Sequence, residues 1–573
     1  MRKIKTLIQH SMIIEVVFLL LYFTALTLLF TRPMVTKLST HTVGGYGDNH
    51  YFMWIIGWTK QALFEIGQSP HKSFLLNFPY NYQLALTEIA PLQILIALPF
   101  AWIFDNTVLG YNIAMLSTFV LSGLTMYYWV KHLTDLSLAS LVASTAYAFL
   151  PYHIAHMLSG HLNLVAIQWL PLFFWGFIEI LDKRNFAWKS VILMCVGLSG
   201  IALSSQYYLF MTLFITLIVF VGYLIQKRFD IGWMRWKQLV ISGLLALPAS
   251  LVGSIPYYFV HQGSGTGRPL TDVIRYSASL SDYLLPFTKS FIAGRWVSRH
   301  FQRDLWGEAT LYLGLPILTL AIYAIWNSRL KEKTMKWRLI TVIALIALVL
   351  SMGTNLVWME QPVVVTTPAW LRELIHQDTF YVYLPGYLLY RFFPFYNIMR
   401  AWMRYGIIVM VAICALAGYG VSLILKRTMH PYQKPAGIFL LFLVILDFSV
   451  TPLNLVEIKP RAVDKWLTKQ PFGAQVQLPL AQSFEQRTIY ATLTNQKPLI
   501  GQMNTYPSHR YFQLEPMLRN FPDHASVEKL REEDITYILV DSSEIDFMQM
   551  DYRALNLDFA GSYDGYDVFI IQD

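Results

Sequence analysis

The residues best suited to chemistry stand in one short stretch, Gly44-Gly-Tyr-Gly-Asp48-Asn-His50, directly after the first strongly apolar run. Glycines at 44, 45 and 47 give a backbone that turns sharply and approaches a ligand closely. Asp48 is placed to cap a helix carrying His50, Trp54 and Trp58 at i, i+4 and i+8, on one face. A carboxylate on a glycine-rich turn, backed by an aromatic helix at a membrane surface, suits the handling of a sugar. The same residues also suit a simple helix cap with tryptophan anchors at the interface, and the local sequence leaves both open.

Further candidates lie downstream. Glu88, in Leu86-Thr-Glu-Ile-Ala-Pro91, can return towards Asp48 within one loop. Two carboxylates near a bilayer surface suit general-base catalysis or a divalent cation, and equally two solvated loop acids. His156 and His161 flank the turn Met157-Leu-Ser-Gly160, a spacing that favours hydrogen bonding over metal ligation. Arg391, Arg400 and Arg404 cluster in a second stretch, Tyr390-Arg-Phe-Phe-Pro-Phe-Tyr-Asn-Ile-Met-Arg-Ala-Trp-Met-Arg404. Guanidinium groups fit phosphate bidentately, and Arg400 and Arg404, read as i and i+4 on one helical face, would clamp a lipid phosphate. Contact with anionic headgroups is the alternative.

The elements that must hold these groups are membrane spans. The chain has 573 residues, 55% hydrophobic and only 14% charged, which is the composition of a polytopic membrane protein. Beyond Ser11–Thr31, long apolar runs fall near 108–130, 136–153, 163–181, 189–203, 205–226, 238–259, 309–327, 339–353, 404–425 and 435–452. Basic residues gather in alternate loops: Arg2, Lys3 and Lys5; Lys131; Lys183, Arg184 and Lys189; Lys227, Arg228, Arg235 and Lys237; Arg329, Lys331, Lys333, Lys336 and Arg338; Lys426, Arg427 and Lys434. The positive-inside rule makes that side cytoplasmic and gives about 11 spans, with the N-terminus inside. It also makes 189–226 cross twice, turning near Ser204-Ser205. The short, proline-interrupted Pro91–Phe104 is kept flat on the outer surface, because a crossing there would move Lys131 to the wrong side.

This topology expects 1–452 to be a mainly α transmembrane bundle with a long first external loop, 32–107. The segments 154–162, 260–308 and 354–403 join that loop outside. The tail 453–573 reads as a small extracytoplasmic α/β domain, from strand-like Ala474–Leu478 and Tyr537–Val540, helix-like Ser526–Arg531 and a closing hairpin at 563–571. Cys195 and Cys414 both sit in apolar runs, so no disulfide framework or thiolate metal site is on offer. Nucleic acid is not expected as a partner: the basic residues are split across the membrane. No nucleotide-binding loop or zinc motif occurs.

In this order, Asp48 after the first span, the long first loop, many spans and an outer α/β tail resemble the GT-C class of integral-membrane glycosyltransferases. Gly47-Asp48, Trp54 and Trp58, Ser159-Gly-His-Leu162, Asp282-Tyr-Leu-Leu-Pro286, Gly307-Glu308, Tyr312-Leu-Gly-Leu315, Phe395–Arg404 and Thr536-Tyr-Ile-Leu-Val540 are similar to the bacterial YfhO-like branch. The resemblance implies a polyprenyl-phosphate-linked sugar donor and an acceptor that is a cell-envelope glycan, lipid or protein. Asp48 would be the general base of an inverting transfer, with Glu88 as a second catalytic carboxylate. Arg400, Arg404 and Arg391 would hold the donor phosphate, and His50, Trp54, His161 and Glu308 the sugar or acceptor. Several GT-C families carry paired acids where this chain has Asp48 alone, so no cofactor is certain and a divalent cation is only allowed for. The rival expectation is a lipid or polysaccharide transporter or flippase. Such proteins place ionisable groups near the bilayer midplane, whereas here they gather at span ends and in outer loops.

Overall fold

The computed structural model describes residues 2–260, 267–328, 335–480, 486–501, 503, 509–543 and 552–572. Arg329, Lys331 and Lys333, part of the basic pattern, lie outside them. Every apolar run contains a helix. Among the described residues, seven helical segments are long and apolar enough to cross a membrane: Met12–Phe30, Thr107–Thr134, Ser137–Leu158, Gln206–Gln226, Trp233–Phe259, Trp402–Arg427 and His430–Phe448. The other four expected spans coincide with shorter helices, Trp169–Asp182, Trp188–Ala202, Leu315–Ser328 and Met335–Ser351. The run 189–226 breaks where expected: one helix ends at Ala202, and Ser205 N-caps the next by accepting from the Tyr208 amide.

Helix Thr107–Thr134 shows which groups share an end of the bundle. Its 28 residues span about 42 Å at 1.5 Å per residue. At its start the Thr107 hydroxyl meets Tyr490 of the tail at 2.6 Å. At its far end Lys131 pairs with Glu15 of the first helix. Also near that far end, Glu179 gathers His132 at 2.9 Å, Lys183 at 2.6 Å and Lys336. The basic loops and the tail are therefore at opposite ends. Helix Pro91–Ile103 has both its ends on the tail side. Its Leu92 amide bonds Leu203, and it runs through a short turn into the Asn106 cap of Thr107–Thr134.

The tail forms a four-stranded mixed sheet ordered Leu557–Tyr563, Tyr566–Ile571, Ile535–Asp541, Ala474–Leu478, with only the last pair parallel. Period-2 alternation buries both faces: Ile538 and Val540 join one apolar cluster, Tyr537 and Leu539 the other. The tail is stitched into the first loop rather than resting on it. Strand His41–Val43 pairs antiparallel with Leu455–Glu457, and the Asn77 and Phe78 amides bond Gly501 and Leu499.

Candidate active site

The helix after the glycine turn spans Asp48–Lys60, but Asp48 is not its cap. Gly47 holds that position, and the Asn49 side chain accepts the Gly47 and His50 amides at 3.0 and 2.9 Å. This correction matters chemically. Freed from capping, the Asp48 carboxylate turns outward, nearly half exposed, with Oδ2 3.4 Å from His161 Nε2.

Two loops meet here without clearance, which is why each carries a glycine. A Cβ on Gly44, at φ +89°, would lie 2.0 Å from the Leu158 carbonyl oxygen; one on Gly160, at φ +77°, would lie 2.2 Å from the Asn49 nitrogen. Behind Asp48 the groups are buried. His161 Nδ1 is 2.7 Å from His156 Nδ1, the hydrogen-bonding role the spacing favours. Two imidazoles that close cannot both be protonated. One tautomer set satisfies both contacts: His156 Nδ1–H donates to His161 Nδ1, and His161 Nε2–H faces Asp48. It leaves a lone pair on His156 Nε2, which is buried without a partner among the described residues. Burial lowers the His161 pKa; Glu308 and Asp48 oppose that, and Arg404 and Arg400 add to it.

Next comes Glu308, joined to Arg404 by two contacts, Nε to Oε2 at 3.0 Å and Nη2 to Oε1. Burial alone would raise the Glu308 carboxyl, but the charge and hydrogen bonds of Arg404 hold it well below the usual carboxylate range. The Arg404 guanidinium also lies 4.4 Å over the Tyr207 ring. His156, His161 and Glu308 bring one donor atom each within 4.8 Å of one another. Two imidazoles and a carboxylate, with a bare nitrogen lone pair among them, can hold a divalent cation.

The other expected site residues divide. Glu88 is near this cluster but fully engaged: Oε1 accepts the Gln206 amide at the start of Gln206–Gln226, and Oε2 accepts Asn163 Nδ2, both at 2.5 Å. Burial raises its pKa against the Gln206, Ser205, Arg404 and Asn163 interactions. Arg400 and Arg404 do not share a helical face. The chain makes a 3-10 turn over Trp402–Tyr405, and the α-helix begins only at Gly406, because Arg404 is drawn inward to Glu308. Arg400 instead stacks 4.4 Å over Tyr276, with its Nε buried and unpartnered among the described residues. Arg391 is exposed on Pro385–Phe392.

His50 and Trp54 face the tail instead of the Asp48 opening. Trp54 is fully buried and donates to Thr492 at 2.9 Å; His50 meets the Tyr490 ring edge-on. Their i, i+4 spacing marked a real face, but the partner on it is a tail helix, Gln486–Asn495, more than 400 residues away in sequence. Tyr207 and Tyr276, the rings beneath the two arginines, carried no sequence signal.

A family model described as a domain of unknown function, DUF6311, matches residues 16–422. The chain belongs to this family. Every residue of the cluster lies inside the matched segment. No curated protein matches the sequence. Among solved structures, the chain is similar to the oligosaccharyltransferase AglB from Archaeoglobus fulgidus in complex with an inhibitory peptide and a dolichol-phosphate. The TM-score is 0.52 and the identity 10%, over 92% of this chain and 69% of that one. It is also similar to ArnT from Cupriavidus metallidurans bound to undecaprenyl phosphate, with TM-score 0.50 and 10% identity over 96% and 97%. The arabinofuranosyltransferase AftD from Mycobacteria gives 0.56 and 12%, over 97% of this chain but 40% of that one. At such identities the likeness shows a shared fold and nothing of the activity.

Proposed function

We propose that this chain is an integral-membrane glycosyltransferase that moves a sugar from a polyprenyl-phosphate donor to an extracytoplasmic acceptor, with inversion. The observation that carries the reading is Asp48. It is the outward-facing carboxylate at the mouth of a buried His161–His156–Glu308–Arg404 series, and two loops without clearance hold it there. The fold shared with transferases whose structures hold dolichol-phosphate or undecaprenyl phosphate supports the donor class. The YfhO-like resemblance is not needed for this reading; its motifs at Gly47-Asp48, Ser159–Leu162, Gly307-Glu308 and Phe395–Arg404 are the ones that build the cluster.

In the proposed reaction the acceptor hydroxyl oxygen attacks the anomeric carbon as the bond from that carbon to the phosphate oxygen breaks. The hydroxyl proton passes to Asp48, and the lipid phosphate leaves as an anion. General-base assistance accounts for about 10²–10⁴-fold, with positioning and electrostatics supplying the rest. Neutral His161 orients the carboxylate and keeps a second positive charge away from it. Arg400 is the better phosphate ligand, since Glu308 already offsets Arg404. A cation bound by His156, His161 and Glu308 would add positive charge beside Asp48. The basic loops at the end opposite Asp48 support a cytoplasmic N-terminus and an extracytoplasmic tail.

Purified full-length protein, incubated with a panel of radiolabelled polyprenyl-phosphate sugars and membrane glycan, lipid or protein acceptors, tests the proposal. Transfer or donor hydrolysis that depends on Asp48 supports it. Vectorial movement of lipid-linked sugar across proteoliposomes without bond cleavage would favour the transporter instead.

A further inference from the structure

A second cationic surface, sharing no residue with the Asp48 cluster, lies on the stretch from Lys289 to His300. It is fastened to the end of the last span. Ser290 bridges Val450 in antiparallel register, the Phe291 amide bonds the Ser449 carbonyl at 2.8 Å, and the Thr451 amide bonds the Lys289 carbonyl at 2.9 Å. These partners directly follow helix His430–Phe448. Just beyond them the Leu453 amide donates to the carbonyl of Arg32, which closely follows helix Met12–Phe30. The stretch therefore sits level with the tail-side ends of two spans, where hydrocarbon gives way to headgroups.

Its outer face mixes apolar and cationic groups. A Cβ on Gly294 would lie 2.4 Å from the Thr288 carbonyl oxygen, and the tight turn so closed carries Phe291 and Ile292. These are 64% and 59% exposed, and Trp296, on helix Gly294–His300, is 53% exposed. Among them stand Lys289, Arg295 and Arg299, exposed and in no ion pair among the described residues. No acidic residue occurs between Asp282 and Asp304. The flanking acids are already engaged: Asp282 by Arg303, and Asp304 by Arg275 at 3.2 Å. Asp447, at the end of the last span, accepts the Tyr312 hydroxyl at 3.0 Å and the Leu315 amide at 3.1 Å. Exposed rings at this level suit the membrane interface, and uncompensated guanidinium and ammonium groups beside them suit lipid phosphate. A protein partner would have to displace the bilayer from a place the span ends already assign to it.

We infer that Lys289–His300 binds the headgroups of anionic phospholipids in the tail-side leaflet, with Phe291, Ile292 and Trp296 seated at the interface. This holds whether or not the chain transfers a sugar. The test uses the full-length protein with Cys195→Ser and Ser298→Cys, the latter at an exposed position and labelled with bimane; Cys414 is buried. The protein is placed in phosphatidylcholine nanodiscs, and nitroxide-labelled phosphatidylglycerol or phosphatidylcholine is added at equal mole fraction. Both lipids should quench the bimane, with phosphatidylglycerol favoured at least about fivefold, the worth of one cation near an anionic surface. About 1 M salt, where the Debye length is about 3 Å, should erase the preference. Lys289→Gln, Arg295→Gln and Arg299→Gln together should erase it too. All three positions are exposed, so the melting temperature in uncharged detergent should stay unchanged and show that this variant is folded. Absence of quenching by either lipid would place the stretch in water, and equal quenching by both would leave no headgroup selection. A preference that survives the triple substitution would come from other residues. Each of these results overturns the inference. So does loss of quenching on adding soluble polyglycerol phosphate, which would put an anionic polymer there instead of lipid.

Discussion

Glu308 and Arg404 stand 96 residues apart and meet as a two-contact ion pair, each side chain about nine-tenths buried. The pairing decides which arginine is available to a donor. Removing one partner of a buried pair leaves an uncompensated charge and costs about 3–5 kcal/mol. Arg404→Ala should therefore lower thermal stability sharply. Arg400→Ala, at a position that makes no ion pair among the described residues, should leave the melting temperature nearly unchanged and weaken donor binding. Equal donor affinity in wild type and Arg400→Ala would reduce Arg400 to a headgroup contact.

Asp48→Asn keeps shape and leaves the Gly47 cap and the Asn49 hydrogen bonds in place. Turnover should fall by at least about a hundredfold, with donor binding and melting temperature intact, because the loss belongs to the transition state. Glu88→Gln is the contrast. Its new NH2 must face either the Gln206 amide or Asn163, so it should cost about 1–3 kcal/mol of stability. Surviving molecules should keep their transfer rate. If instead Glu88→Gln abolishes transfer in a stable protein while Asp48→Asn stays active, the base is Glu88.

His161 predicts a pH dependence. Burial sets its folded pKa below the ordinary 6.5, so on acidification the unfolded chain takes up the proton first. Its contribution to stability is intact above that value and is lost as pH falls from 6.5 towards the lower folded value. Thermal unfolding across about pH 5 to 8, where imidazoles titrate, should show a melting temperature that drops on the acid side. His161→Gln should flatten that drop. A profile that His161→Gln leaves unchanged would mean that His161 binds its proton equally well in the folded and unfolded chain.

Gly160→Ala tests the loop contact behind the Asp48 position. The added Cβ meets both a left-handed φ and the Asn49 backbone, so destabilisation should exceed about 1 kcal/mol, and backbone movement should displace Asp48 from His161. Circular dichroism on melting and the transfer rate should both fall. A variant with wild-type melting temperature and rate would show that the two loops are not held together as tightly as drawn.

The sequence by itself determined where the apolar helices fall, the break at Ser204-Ser205 and the strands of the tail, because each follows from a local pattern. Apolar run length reports a membrane helix, alternation reports a strand, and both act within a few residues. It also marked Asp48, His161, Glu308 and Arg404, through glycine turns and unexpected charges at span ends. Tertiary structure alone decided what those groups do to one another. Arg404 left the expected helical face because Glu308 holds it. Glu88 was drawn to the start of a helix by Gln206, and the His50–Trp54 face was covered by a tail helix. A buried charge must find its partner wherever the fold places one, and no local spacing records contacts between residues 75 to 438 positions apart.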